Sequence, residues 1–171
     1  QEFKETKKIQ EFVIAVDTSM SCSGELVRAF LSETCGILLQ TESFFKRVRI
    51  HVIQCDDQVQ EDAVITDTDG LSDFMERFEV KGGGGTDFRP VFAHVEALRE
   101  RGELKRLKGL LYFTDGKGVY PAKRPDYDVA FLFMKEDYTD VSVPAWAMRL
   151  VLAETDLAGE EKRLDADIRF V

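Results

Sequence analysis

Apolar residues in this chain fall into short unbroken runs, several of which stop at an acid. Residues 12–16 (FVIAV) run straight into Asp17, and residues 109–113 (GLLYF) are followed by Thr114 and Asp115. Runs of this length without alternation are how strands buried on both faces of a parallel sheet read. Residues 128–134 (DVAFLFM) and 146–152 (WAMRLVL) predict two more strands of central character. Residues 48–53 are rich in β-branched side chains and alternate with Arg49 and His51, which predicts a further strand. Residues 59–66 make another, reached through Asp56, Asp57 and Gln58 alone. So short a link favours a hairpin, hence one antiparallel edge strand.

Between these runs the period changes to that of a helix. Residues 25–40 carry Leu26, Ala29, Phe30, Ile37 and Leu38 at helical spacing, and residues 71–78 predict a short amphipathic helix. Four glycines, 82–85, are the one strong breaker. Thr86 or Asp87 can cap the helix that follows, with Pro90 in its first turn and Val91, Val95 and Leu98 as its inner stripe. The tail has Leu157, Leu164 and Ile168 loosely placed for a helix. Strands alternating with helices predict an α/β fold, a Rossmann-like three-layer sandwich with a mostly parallel sheet and right-handed crossovers. The expected organisation is a charged lead-in over 1–10, one domain over 11–152 and a charged tail over 153–171.

With 171 residues, 44% of them hydrophobic, one compact domain is expected. A domain near this size buries roughly 70% of its unfolded surface and needs no disulfide staples. Cys22, Cys35 and Cys55 form no C-x-x-C pair, which excludes zinc-ribbon and thioredoxin chemistry and fits a reducing cytoplasm. No signal peptide is visible, and no apolar run reaches the roughly 18 residues a membrane span needs. Because the chain opens at Gln1 and not Met, a piece of a longer protein is expected. The net charge of −9 argues against nucleic-acid binding, which needs clustered cations. Basic residues do gather at Lys46, Arg47 and Arg49, and again at Lys105, Arg106 and Lys108; solvated strand entries or helix ends explain both.

Acidity fits a cation site better than a phosphate site, and the loop after residue 16 offers one. Asp17, Ser19 and Ser21 stand at alternate positions leaving a strand, so their side chains can turn toward one point. Mg²⁺ takes about six oxygens near 2.0–2.1 Å in a close to octahedral array. Thr86 adds a hydroxyl from the glycine loop and Asp115 a second carboxylate from the loop after residue 113. Taken singly, Asp17, Ser21 and Thr86 read as helix caps and Asp115 as a turn residue. Together they come from three loops that the predicted topology brings to one sheet edge, where ligands of such folds bind.

The runs FVIAVDTSMSCSG, GGGGTDF and LLYFTDGKG resemble the metal-ion-dependent adhesion site, D-x-S-x-S…T…D, of von Willebrand factor A (VWA) domains. With DVAFLF and PAWAMRLVL, the chain more narrowly resembles the VWA-like domain of predicted bacterial metallopeptidases. The peptidase-like half is absent, so peptidase activity does not carry over. Met20 stands where many VWA sequences place Gly, at a spacer position. The resemblance implies that Ser19, Ser21 and Thr86 coordinate Mg²⁺ (or Mn²⁺ or Ca²⁺) directly, with Asp17 and Asp115 acting through water. It also implies a partner protein that completes the shell with an Asp or Glu carboxylate, and a MoxR-type AAA+ ATPase as working companion.

The expected function is therefore a binding module, not an enzyme. Its rivals are a Mg²⁺-dependent phosphatase or hydrolase using Asp17, and the non-catalytic domain of a larger metallopeptidase-like protein. Such phosphatases commonly place a second acid two residues on, where Ser19 stands here. His94-Val95-Glu96 lacks the P-C-x-x-C of a zinc deaminase, and His51 lacks an H-E-x-x-H context. The tetraglycine lacks the Gly-Lys-Ser/Thr ending of a phosphate loop. Cys22 has no visible base to activate it. Asp87 could cap the helix or join the ion's outer shell, capping being preferred. Phe44, Phe45, Phe74 and Phe78 are expected in the core.

Overall fold

The structure, a computed structural model, describes residues 8–19, 24–43, 46–134, 142–153 and 156. The described residues form strands β1 (Lys8–Asp17), β2 (Lys46–Cys55), β3 (Val59–Ile65), β4 (Leu107–Phe113), β5 (Asp128–Met134) and β6 (Met148–Leu152). Helices α1 (Gly24–Leu39), α2 (Thr68–Arg77) and α3 (Arg89–Glu100) connect them. The strands make one sheet in the order β3-β2-β1-β4-β5-β6, parallel throughout except for β3. That is the expected α/β fold with one antiparallel edge strand. β3 runs backwards because three residues cannot carry the chain across a sheet face.

β1 shows why an unbroken apolar run suits a central strand. Phe12, Ile14 and Val16 pack with α1 and α2 on one face, while Val13 and Ala15 pack with α3 on the other. Each face holds its own core, so the domain has three layers. Phe30 of α1 stacks on Phe113 at 4.5 Å, and Phe131 of β5 lies among Phe88, Phe92, Tyr112 and Tyr120. Phe78 is buried and Phe74 half-buried against the α2 side; Phe44 and Phe45 lie outside the described residues. The expected tail helix over 154–171 lies outside them too, apart from Asp156.

One expectation is corrected. Residues 146–152 read as a central strand, but β6 starts only at Met148 and lies at the sheet's edge, with Met148 and Val151 exposed. Trp146 precedes it and packs edge-on against Phe92 of α3. The apolar content of that run is divided: Trp146 and Ala147 serve the α3-side core from the turn, while Leu150 and Leu152 of β6 pack in the α1-side core.

The edge hairpin is fastened to α3 through both histidines of the chain. Asp62 of β3 accepts hydrogen bonds from His51 Nδ1 of β2 (3.0 Å) and His94 Nε2 of α3 (2.8 Å). A carboxylate only accepts, so each of these nitrogens carries the proton. Burial pushes the Asp62 carboxyl up, but the hydrogen bonds and charges of the two imidazoles outweigh it and hold it below its ordinary value of 3.8. A depressed carboxyl contributes stability above its unfolded pKa and loses it as pH falls through its folded value. Asp62→Asn should therefore flatten the acid limb of the stability curve below about pH 4. Thermal melts across that range check this, and superimposable acid limbs for the two proteins would show that the link contributes nothing.

Candidate metal centre

β1 lies where the strand order reverses: its sequence neighbour β2 pairs on one side and the later β4 on the other. The loops leaving β1 and β4 thus open a crevice at the carboxyl ends of the strands, the usual ligand site of such sheets. Asp17 closes β1 there and is fully buried. Its Oδ1 accepts the Ser19 backbone N–H (2.9 Å) and its Oδ2 accepts the Thr114 hydroxyl (2.6 Å). Thr114 leaves β4, so this hydrogen bond ties the loop after β1 to the loop of Asp115. Asp115, also buried, accepts the Lys117 N–H at 3.0 Å, the turn role expected of it when taken alone.

Burial, ahead of every other cause, raises the Asp17 carboxyl above its ordinary 3.8, and the charge of Asp115 adds to the rise. Hydrogen bonds from Thr114 and Ser19 oppose it. Asp17 and Asp115 are thus two buried carboxylates on loops tied together by the Thr114 hydrogen bond. Burial pushes the thiols of Cys35 and Cys55 up to about 12, so neither offers a thiolate at neutral pH.

Thr86 reaches the same edge through the loop between α2 and α3. A short parallel bridge joins Asp87 to Val119, and Phe88 N–H donates to Val119 O at 3.0 Å. This places Thr86 against Gly118, where an added Cβ would sit 2.7 Å from Thr86 Cγ2. Asp87 works as expected at the start of α3, accepting the Arg89 N–H at 3.0 Å, although Phe88 occupies the formal cap position. Its carboxylate also pairs with the Arg89 guanidinium at 2.8 Å. Asp17, Ser19, Thr86 and Asp115 therefore share one rim of the sheet. Ser21 and Cys22 lie outside the described residues.

Sequence reasoning passed over three residues that build this rim. Asp56 stands directly after β2 and is buried. Its Oδ1 accepts from Gln58 N (3.1 Å) and Gln60 Nε2 (2.9 Å), its Oδ2 from Gly84 N (3.0 Å), and its carbonyl from Asp87 N (3.1 Å). It is the post that holds the glycine loop. An acid after a buried run was the very signal that marked Asp17 and Asp115; at Asp56 the hairpin reading masked it. Thr114 and Gly118 are the other two, and both adjoin Asp115 in FTDGKG.

Among the described residues, no three His, Cys, Asp or Glu side chains gather as a metal set. A cation at this rim would depend on hydroxyl oxygens, which suits a hard ion that accepts neutral oxygen ligands and not zinc. Ser19 and Thr86 carry such oxygens, and the buried Asp17 and Asp115 carry the charge a cation would need. The donor set fits Mg²⁺.

No curated protein matches the sequence. Among solved structures, the chain is similar to proximal thread matrix protein 1 from the mussel byssus, at 10% identity and a TM-score of 0.60, over 88% of this chain and 44% of that one. It is similar to the SpRpn10 VWA domain at 11% identity and a TM-score of 0.53, over 84% and 88% of the two chains. It is also similar to the ArnB paralog VWA2 from Sulfolobus acidocaldarius at 16% identity and a TM-score of 0.51, over 80% and 38%. The chain spans less than half the length of the mussel and Sulfolobus chains. At such identities the likeness is one of fold. Residues 12–153 match the family described as VWA-like domain (DUF2201), and the chain belongs to that family.

Proposed function

We propose that this domain is a cation-dependent protein-interaction module, holding Mg²⁺ through Ser19, Ser21 and Thr86 with Asp17 and Asp115 in support. The observation that carries the reading is the fully buried Asp17, bonded across to Thr114 beside a second buried acid, Asp115, at the strand-order reversal. Two desolvated carboxylates destabilise one another unless a cation lies near. The ion's part would be to supply an electrophilic contact for a partner's Asp or Glu. Neutral hydroxyls leave its charge poorly compensated, so an incoming carboxylate is drawn in strongly.

The enzymatic rival needs Asp17 as an accessible nucleophile. Both Asp17 oxygens accept hydrogen bonds and neither faces solvent, which favours a binding role. On this reading the chain is an adaptor that works with a MoxR-type AAA+ ATPase. Free Cys35 and Cys55 accord with a cytoplasmic setting, and among the described residues no helix is long and apolar enough to cross a membrane.

The test is a thermal melt with Mg²⁺ or Mn²⁺ against chelator. A ligand at a hundredfold excess over its Kd stabilises the folded state by about 2.7 kcal/mol. Thr86→Ala should remove that gain and the metal-dependent capture of a carboxylate-bearing partner, while its metal-free melt stays close to wild type. Identical wild-type melts with cation and with chelator would end the proposal.

A further inference from the structure

Two basic runs far apart in the sequence meet at the opposite end of the sheet from Asp17. β1, β2 and β4 are parallel neighbours that all enter here, with Lys8 opposite Lys46 and Glu11 opposite both Arg49 and Leu107. On the α3 side they form a concavity of about 520 Å³ whose lining includes Lys8, Ile9, Glu11, Arg49, Lys105 and Arg106. Its one carboxylate is already engaged. Glu11 is buried and accepts Arg49 Nη1 (3.2 Å) and the backbone N–H groups of Lys105 (2.8 Å) and Arg106 (2.7 Å).

Apart from Arg49, which pairs with Glu11, the cations lining this concavity form no ion pair among the described residues, whereas several cations elsewhere do. Lys81 pairs with Glu61, Arg89 with Asp87, Arg99 with Asp126 and Arg101 with Glu103. Lys8, Lys105 and Arg106 are exposed, and none of them forms an ion pair among the described residues. Gathering unpaired like charges costs the folded state self-repulsion that an anionic ligand relieves. An adjoining hollow shares Ile9 and Arg49 and adds Arg47, but Glu42 and Asp67 line it too, so the unpaired positive charge is greater in the first concavity.

We propose that this concavity docks a short acidic segment of a partner protein, with Glu and Asp side chains meeting Lys8, Lys105 and Arg106 and an apolar residue lying on half-buried Ile9. The chemistry of the surface selects that occupant. A phosphate site would use the backbone N–H groups of Lys105 and Arg106, and Glu11 already occupies both. A long nucleic acid would run off the patch onto a chain of net charge −9. A short run of carboxylates on a flexible chain meets neither obstacle. This surface is distinct from the cation site and goes beyond the function proposed above.

The test is fluorescence anisotropy with a short labelled peptide of Glu and Asp around a central Leu, in chelator so that the cation site cannot contribute. Binding should be strong at low salt and fall steeply as salt rises. Lys105→Glu with Arg106→Glu should weaken it about tenfold or more, with an unchanged melt since both side chains are exposed. Lys8→Glu should weaken it as well, giving a second variant should the double one misfold. Lys123→Glu with Arg124→Glu, reversing exposed charges elsewhere, should leave binding as it was. Equal loss in that control, or equal binding of a charge-matched oligothymidylate, would overturn the proposal. So would low-salt self-association abolished by the double variant without any peptide binding, which would make the surface a contact between copies of this chain.

Discussion

Phe131→Ala should destabilise the fold by about 3–5 kcal/mol, the cost of emptying a large buried ring site that cannot collapse. Phe131 is fully buried in β5, with Tyr112 stacked at 5.6 Å, Tyr120 edge-on at 4.9 Å, and Phe88 and Phe92 beyond. Five aromatic side chains from β4, β5, α3 and the loops beside it meet there, so no single neighbour can swing in and fill the gap. For a domain of this size the loss corresponds to a fall in Tm of about 10 °C. The effect reaches the site as well, because Phe88 follows Thr86 by two residues and rests on this cluster. Val151→Ala, on the exposed face of edge strand β6, should change stability by no more than about 0.5 kcal/mol. Comparable shifts for the two variants in chemical denaturation would show that the α3-side core is not where the stability resides.

The contrast between those two residues marks what a single sequence discloses and what it hides. β1 and β5 were legible because a strand buried on both faces has no polar positions to confuse its pattern. β6 was misread as central, since a run such as WAMRLVL reports apolar content but not the strand's place in the order. That place follows from which neighbours pair, and pairing is a long-range property. The hairpin was legible for the opposite reason: three residues permit little else.

The candidate site divides in the same way. Asp17, Ser19, Thr86 and Asp115 announce themselves by standing just after a buried run or a glycine hinge, and the fold brings all four to one rim. Their supports were not legible. Asp56 holds the glycine loop through oxygens that bond Gly84, Gln58 and Gln60, contacts up to 28 residues apart in the chain. The two histidines looked unremarkable singly, and only the fold shows them sharing Asp62. The basic runs read as strand entries or helix ends and stand at the entries of β2 and β4, yet their convergence on one concavity depends on β1 lying between those strands.

The tetraglycine illustrates the step from signal to cause. Gly82 has φ of +120°, and a Cβ there would lie 2.6 Å from Thr18 Oγ1. A side chain at that position is excluded twice, by backbone conformation and by contact. The loop is thus pressed onto the residue that follows Asp17, while its far end sets Thr86 against Gly118 in the loop after β4.

Gly118→Ala should cost the domain about 1–3 kcal/mol of stability as an overpacked contact, and it should weaken cation binding about 10- to 100-fold, as changes to the supports of metal ligands do. The added methyl would lie 2.7 Å from Thr86 Cγ2 and 2.9 Å from the Phe88 ring. Phe88 is fully buried among other rings, whereas Thr86 is half-buried on a loop, so Thr86 is the one to move. Gly118 does not occupy the left-handed region, so the substitution adds bulk without backbone strain. Mg²⁺ tolerates little departure from its octahedron, and a hydroxyl shifted by a few tenths of an ångström ceases to be a good ligand. The discriminating measurement is Mn²⁺ titration of Gly118→Ala beside Gly102→Ala, a glycine in the turn after α3. If both variants bind Mn²⁺ with wild-type affinity, Thr86 is not a ligand and the proposed cation site fails; a loss confined to Gly118→Ala ties the affinity to the position of that one hydroxyl.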